Sequence, residues 1–212
     1  MRTHTLLRVA AASILRCDTP LPGWGTQAPG RALWVVVRRA PQRDGLIPVG
    51  TRGARRSERF AAWLHPADVL EALDPIELAA RRGWRGHPRC AGIAALAALA
   101  GVEQGMERVG LASCWGPTGS VGFELASGHA TATPASDLDL MVRADEPLAS
   151  TAAAALLAAL TALPARIDVL LETPRGAVAL AESVHARGPV LLRTVNGARL
   201  VADPWSREAA AA

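Results

Sequence analysis

The stretch Ser136-Asp137-Leu138-Asp139-Leu140-Met141-Val142 constrains the fold more than any other in this chain. An apolar run rich in Leu and Val, opened by two aspartates two residues apart, reads as a strand over Leu138 to Val142. Alternate side chains of a strand share a face, so Asp137 and Asp139 would point the same way at its start. Arg166-Ile167-Asp168-Val169-Leu170 has the same character, and a neighbouring strand could bring Asp168 beside that pair. Carboxylates that converge repel one another unless a cation compensates them, and hard oxygen donors select Mg²⁺ or a similar ion. On its own an Asp-x-Asp pair is equally a turn at the start of a strand.

What precedes the pair adds to it. Leu111 to Trp115 reads as a strand running into Gly116-Pro117-Thr118-Gly119-Ser120. Gly119 would let the backbone come close to a phosphate, and the following amides and the Ser120 hydroxyl could donate to its oxygens. A helix starting just after Ser120 would add its dipole. Pro147 to Leu163 reads as a helix, Ile167 to Leu171 as a strand, Gly176 to His185 as a helix, and Val190 to Thr194 and Arg199 to Val201 as short strands. This alternation points to a sheet with helices packed on it.

The first part reads as smaller. Trp34 to Val37 and Leu46 to Gly50 are strands joined by a turn at Asp44-Gly45. Helical patterns cover about Arg56 to Leu64, Pro66 to Leu73 and Asp74 to Arg82, and Gly83 to Pro88 is the linker candidate. Cys90 to Ala100 is a further helix, and Gly101 to Gly110 breaks its pattern. The expected organisation is α+β in two parts: an N-terminal α/β domain over 1–86, suited to donor or carrier binding, and a mixed sheet with helices over 87–212.

Composition excludes several classes. The 212 residues include 23 basic side chains, all arginine, and the net charge is +4. Arginine suits phosphate and carboxylate recognition, although a coding bias explains the absence of lysine equally well. Seven arginines lie between Arg38 and Arg59 (Arg38, Arg39, Arg43, Arg52, Arg55, Arg56 and Arg59); they form a solvated face, a clamp on phosphates or a docking surface for an acidic protein. Nucleic-acid binding would want interleaved aromatics, and the chain has no tyrosine. Cys17, Cys90 and Cys114 stand far apart, which argues against a disulfide framework or a structural zinc site. The alanine-rich run Leu148 to Leu163 is a packed helix and not a membrane span. The N-terminus lacks a secretory core, so the expected location is cytoplasmic.

The order strand, Gly-Ser, strand with Asp-x-Asp, helix, strand with a third Asp resembles the nucleotidyltransferase fold shared with polymerase β. The 16 residues between Ser120 and Asp137 are more than that superfamily usually has, and they point to a subfamily. Trp115-Gly116-Pro117-Thr118-Gly119-Ser120-Val121-Gly122-Phe123-Glu124-Leu125 followed by Ser136-Asp137-Leu138-Asp139-Leu140 is similar to the phosphoribosyl-dephospho-CoA transferases of malonate decarboxylase systems. Pro48-Val49-Gly50-Thr51-Arg52-Gly53, Arg59-Phe60-Ala61-Ala62-Trp63, Leu171-Glu172-Thr173-Pro174-Arg175-Gly176 and Leu200 to Trp205 extend the resemblance.

The resemblance implies attachment of a 2′-(5″-phosphoribosyl)-3′-dephospho-CoA group to a serine of the acyl carrier subunit. The donor would be the triphosphate precursor, triphosphoribosyl-dephospho-CoA, with pyrophosphate leaving. It implies Asp137 and Asp139 as catalytic and metal-holding residues with Mg²⁺ or Mn²⁺. Strand position and superfamily analogy add Asp168 as third ligand or general base. Gly119, Ser120 and Arg52 are the candidates for holding the donor. Another hydroxyl acceptor, or a non-catalytic nucleotide- or carrier-binding module, remains the alternative.

Overall fold

The structure, a computed structural model, describes residues 1–26, 33–53 and 58–206. The chain divides into two compact units, Met1–Asp74 and Pro75–Ala212.

The first unit is an antiparallel sheet of β1 (Leu6–Val9), β2 (Leu33–Val37), β3 (Ile47–Arg52), β4 (Arg59–Leu64) and β5 (Val69–Leu73), in the order β4-β3-β2-β1-β5. Asp44 and Gly45 make the turn before β3, with φ of 51° and 74°. Two successive positive φ values are those of a type I′ turn, whose twist matches that of paired strands. One face of the sheet buries Leu7, Val35, Val37, Val49, Ala62 and Leu64, with Ile14 and Cys17 packed against them.

Two expected helices are strands. Arg59 to Leu64 pairs with β3 from Arg52↔Arg59 to Ile47↔Leu64. This pairing buries Ala62 and Leu64 at period two, a tertiary gain that overrides the helical preference of the alanines. Arg56 lies outside the described residues. Pro66–Asp68 is a single 3₁₀ turn, capped where the His65 ring accepts from the Ala67 amide, and Val69–Leu73 then pairs with β1. The first unit is therefore not α/β: among its described residues it has no α-helix, and the helix expected from Asp74 falls at Pro75–Ala80 in the second unit.

The second unit contains α1 (Pro75–Ala80), α2 (Ala94–Ala97), α3 (Leu99–Arg108), β6 (Trp115–Pro117), α4 (Gly119–Ser127), β7 (Leu138–Arg143), α5 (Ser150–Thr161), β8 (Ile167–Thr173), β9 (Gly176–Ala179), α6 (Leu180–His185), β10 (Val190–Thr194) and β11 (Gly197–Val201). Its six-stranded sheet has the order β11-β10-β9-β8-β7-β6. Only β7 and β8 are parallel, joined by α5 as the crossover such a pair needs. The sheet is thus mixed with packed helices, as expected. Leu138, Leu140, Val142 and Leu171 face a core completed by Leu99, Val102, Met106 and Leu156.

Three further expectations are corrected here. Residues 101–108 continue α3 instead of ending a helix. A side chain at Gly101 would collide with Leu163, and Gly105 lies under Leu156 and Leu160, so these glycines admit α5 closely and packing offsets their poor propensity. Gly83 to Pro88 is not a linker between domains. Trp84 is 3% exposed in the second core, its ring 5.8 Å from that of Trp115. The units meet at Asp74–Pro75, twelve residues before the expected boundary at 86. Finally, Gly176–Ala179 is a strand on β8, and only Leu180–His185 of that segment is helical. Among the described residues no helix is long and apolar enough to cross a membrane.

Candidate active site

Leu138 and Leu140 are buried in the core, so the pleat turns Asp137 and Asp139 to the opposite face of β7. Asp139 is exposed and Asp137 half-buried. In the parallel ladder Asp139 stands directly opposite Asp168, which puts two carboxylates on one face of adjacent strands, about 5 Å apart by strand spacing.

The start of α4 closes on this point. The Thr118 amide donates to the Asp139 carbonyl at 2.8 Å, which ties the turn to β7. The first intrahelical bond runs from the Gly122 amide to the Thr118 carbonyl. The amides of Gly119, Ser120 and Val121 therefore have no partner within the helix, as in any first turn, and the Thr118 side chain makes no capping bond to it. First-turn amides with the positive end of the helix dipole suit an anion. Gly119 has φ of 59°, and a Cβ on it would collide with the Asp139 carboxylate. The room glycine leaves is thus taken up by an aspartate of the pair, and any side chain at 119 would push Asp139 away. Ser120 is 7% exposed, and its carbonyl accepts from the Thr131 hydroxyl at 2.8 Å.

Asp168 is half-exposed and lies 3.1 Å from the Arg166 guanidinium. The sequence reading missed this partner, although two residues apart on a strand is the spacing that predicts it. Among the described residues no three His, Cys, Asp or Glu side chains are gathered as a metal site. Carboxylate oxygens are the donors a hard divalent ion takes, and Asp139 and Asp168 present them side by side on one face of adjacent strands.

The long connection from Ser120 to Asp137 has a physical basis that sequence could not supply. Glu124 is 2% exposed, and its carboxylate accepts from the Thr131 and Ala132 amides at 2.8 Å and from Arg89 Nη1 at 2.7 Å. Arg89 Nη2 also donates to the Ala132 carbonyl at 2.8 Å. Burial pushes the Glu124 carboxyl up, but the Ala132 and Thr131 amides and the Arg89 guanidinium outweigh it and hold the group below the usual carboxylate range. Glu124 thus folds the loop after α4 back against the helix, just before Asp137. Arg89 is 35 residues away in sequence, so no local signal pairs it with Glu124. Arg52 is exposed at the end of β3 in the first unit.

The comparisons with known proteins cover both units. Residues 2–75 match the family described as phosphoribosyl-dephospho-CoA transferase MdcG N-terminal domain, and residues 77–204 match the corresponding C-terminal domain. A phosphoribosyl-dephospho-CoA transferase of Azotobacter vinelandii is 44% identical over 197 residues, 92% of this chain and 91% of that one. One of Pseudomonas putida (strain W619) is 42% identical, covering 96% and 94%. One of Klebsiella pneumoniae (strain 342) is 38% identical, covering 98% and 97%. No solved structure matches the chain.

Proposed function

Because the chain belongs to the phosphoribosyl-dephospho-CoA transferase family, we propose that it moves 2′-(5″-phosphoribosyl)-3′-dephospho-CoA from its triphosphate precursor to a serine of an apo acyl carrier subunit. The observation that carries this reading is the start of α4 set against Asp139, itself in register with Asp168. We take the second unit as a polymerase-β-like nucleotidyltransferase domain, on the order of its elements. The acceptor would be the carrier subunit of malonate decarboxylase, and pyrophosphate the leaving group.

In this reading the Gly119, Ser120 and Val121 amides hold the departing phosphates, where fixed donors oppose the charge that develops. The carrier serine attacks the phosphorus attached to the ribose as the bond to pyrophosphate breaks, so alignment and charge stabilisation supply most of the rate. Asp137, Asp139 and Asp168 would hold Mg²⁺ or Mn²⁺, which when bound offsets the charge of the triphosphate. Asp168 takes either the third ligand position or the serine proton, and Arg166 offsets its charge until then. Arg52 contacts phosphate of the donor.

The test is mass spectrometry of the apo carrier subunit after incubation with enzyme, donor and Mg²⁺. A gain of the phosphoribosyl-dephospho-CoA mass that chelator prevents is the expected result. No gain with authentic donor and carrier sinks the reading.

A further inference from the structure

Strand alternation leaves the first unit's sheet with a second face. The core takes Val37, Val49, Ala62 and Leu64, so their neighbours Val36, Gly50, Arg52, Arg59, Ala61 and Trp63 project the other way. The register aligns Val36 with Gly50 and Gly50 with Ala61, and it sets Arg52 opposite Arg59 and Pro48 opposite Trp63. The Arg38 amide donates to the Pro48 carbonyl at 2.8 Å. Its side-chain stem lies across Gly50, where a Cβ would stand 3.3 Å from Arg38 Cδ. Arg43 stands over the Trp63 ring, 5.6 Å from its centroid.

The face thus has a shallow strip of small and apolar residues with guanidinium groups at both ends. Arg52 and Arg59 are exposed at one end, and Arg38 and Arg43 flank the other. Of the carboxylates nearby, Asp18 and Asp44 both lie against Arg43. Glu58 sits beside Gly53. The sign of the face is set by Arg38 and Arg59. From the Arg52 pair to the Pro48 pair is four residues of strand, about 13 Å. That spread is too wide for the oxygens of one triphosphate and flat enough for the side of a helix.

We infer that this face docks the carrier protein, by pairing its arginines with a carboxylate-rich surface of that partner around the serine to be modified. This rests on the transfer reading above and names the surface the acceptor uses. Arginine forks pair with carboxylates bidentately, and a one-sign patch steers an oppositely charged partner to it. Gly50 is part of the design, because it lets the Arg38 stem lie flat and keeps the strip open.

The experiment measures binding and transfer separately on the full chain, with the apo carrier subunit as the probe. Calorimetry without donor should show carrier binding that weakens with salt, and the double variant Arg38→Glu/Arg59→Glu should weaken it at least about tenfold. The exposed single variant Arg59→Gln should weaken it in the same direction, and circular dichroism checks that both are folded. In the transfer assay the double variant should raise KM for the carrier and leave KM for the donor unchanged. No carrier binding by the unaltered protein, unchanged binding in both variants, or a rise confined to the donor KM would each overturn the docking surface. Binding with no transfer by the unaltered protein would leave the surface standing and sink the transfer reading instead.

Discussion

Two carboxylates beside and within α4 stand in opposite circumstances. At its start, Asp139 is exposed on the solvent side of β7, beside the first turn of the helix and opposite Asp168. Half a helix away, Glu124 is buried and accepts from two backbone amides and one guanidinium. A buried carboxylate saturated with protein donors has little left to offer a ligand, whereas one on the solvent side of a strand can be reached by a cation or a phosphate. The difference separates an accessible carboxylate from a structural one around a single nine-residue helix. Glu124 lies in the motif that carries the family resemblance, yet its work is to shape the loop that delivers Asp137.

Four changes would break or sharpen this contrast. Asp139→Ala should lower transfer by at least about a thousandfold, some 4 kcal/mol of transition-state stabilisation, while the melting temperature stays within a few degrees. Substantial residual transfer would remove Asp139 from the centre of the site. Glu124→Ala should do the reverse. Leaving Arg89 and two amides without their partner should cost about 3 kcal/mol of stability, read as the midpoint of urea unfolding. Loss of activity with unchanged stability would make Glu124 part of the chemistry and end the distinction.

Gly119→Ala should cost about a hundredfold in transfer, since an ångström of displacement at the reacting groups has that effect. A left-handed φ adds about 1–2 kcal/mol of strain to any residue but glycine. Unchanged transfer and stability would mean that Asp139 moves freely. The smallest effect is expected of Arg52→Gln, a roughly few-fold rise in KM for the donor, as befits an exposed charged contact. If the carrier KM rises instead, Arg52 belongs with the docking face alone.

Acid titration tests the same contrast without mutating the site. The folded protein holds the Glu124 carboxyl below its ordinary value, which in an unfolded chain is about 4.3. Its contribution is therefore complete above that pH and is lost as pH falls through the lower folded value. Glu103, held low by Arg85 and Arg82 against the rise that burial imposes, titrates in the same sense. Its arginines are about half exposed, so its share should be smaller and more salt-sensitive. Glu124→Gln should flatten the acid limb of the stability curve more than Glu103→Gln, and equal slopes would show that burial of the acid alone does not set the size of the term.

Much of this was legible in the sequence. Short apolar runs, several of them β-branched, marked β2, β3, β7, β8 and β10. Asp44-Gly45 marked its turn, and the order of Gly119-Ser120, Asp137-Leu138-Asp139 and Asp168 marked the candidate site. These signals are local, because a strand's alternation and a glycine's freedom are properties of a few consecutive residues. Wherever the deciding contact lay far along the chain, the sequence misled or was silent. Arg59 to Leu64 is a strand because β3 is beside it, residues 101–108 stay helical because α5 packs on their glycines, and Trp84 belongs to the second unit because Trp115 meets it. The sequence by itself determined that aspartates two apart would share a face at a strand start. Only the tertiary structure decided that Asp168 stands opposite Asp139, that Gly119 makes room for the Asp139 carboxylate, and that Glu124 is occupied by the scaffold. Strand register and side-chain contact are set by burial summed over both partners, and one segment carries only half of that sum.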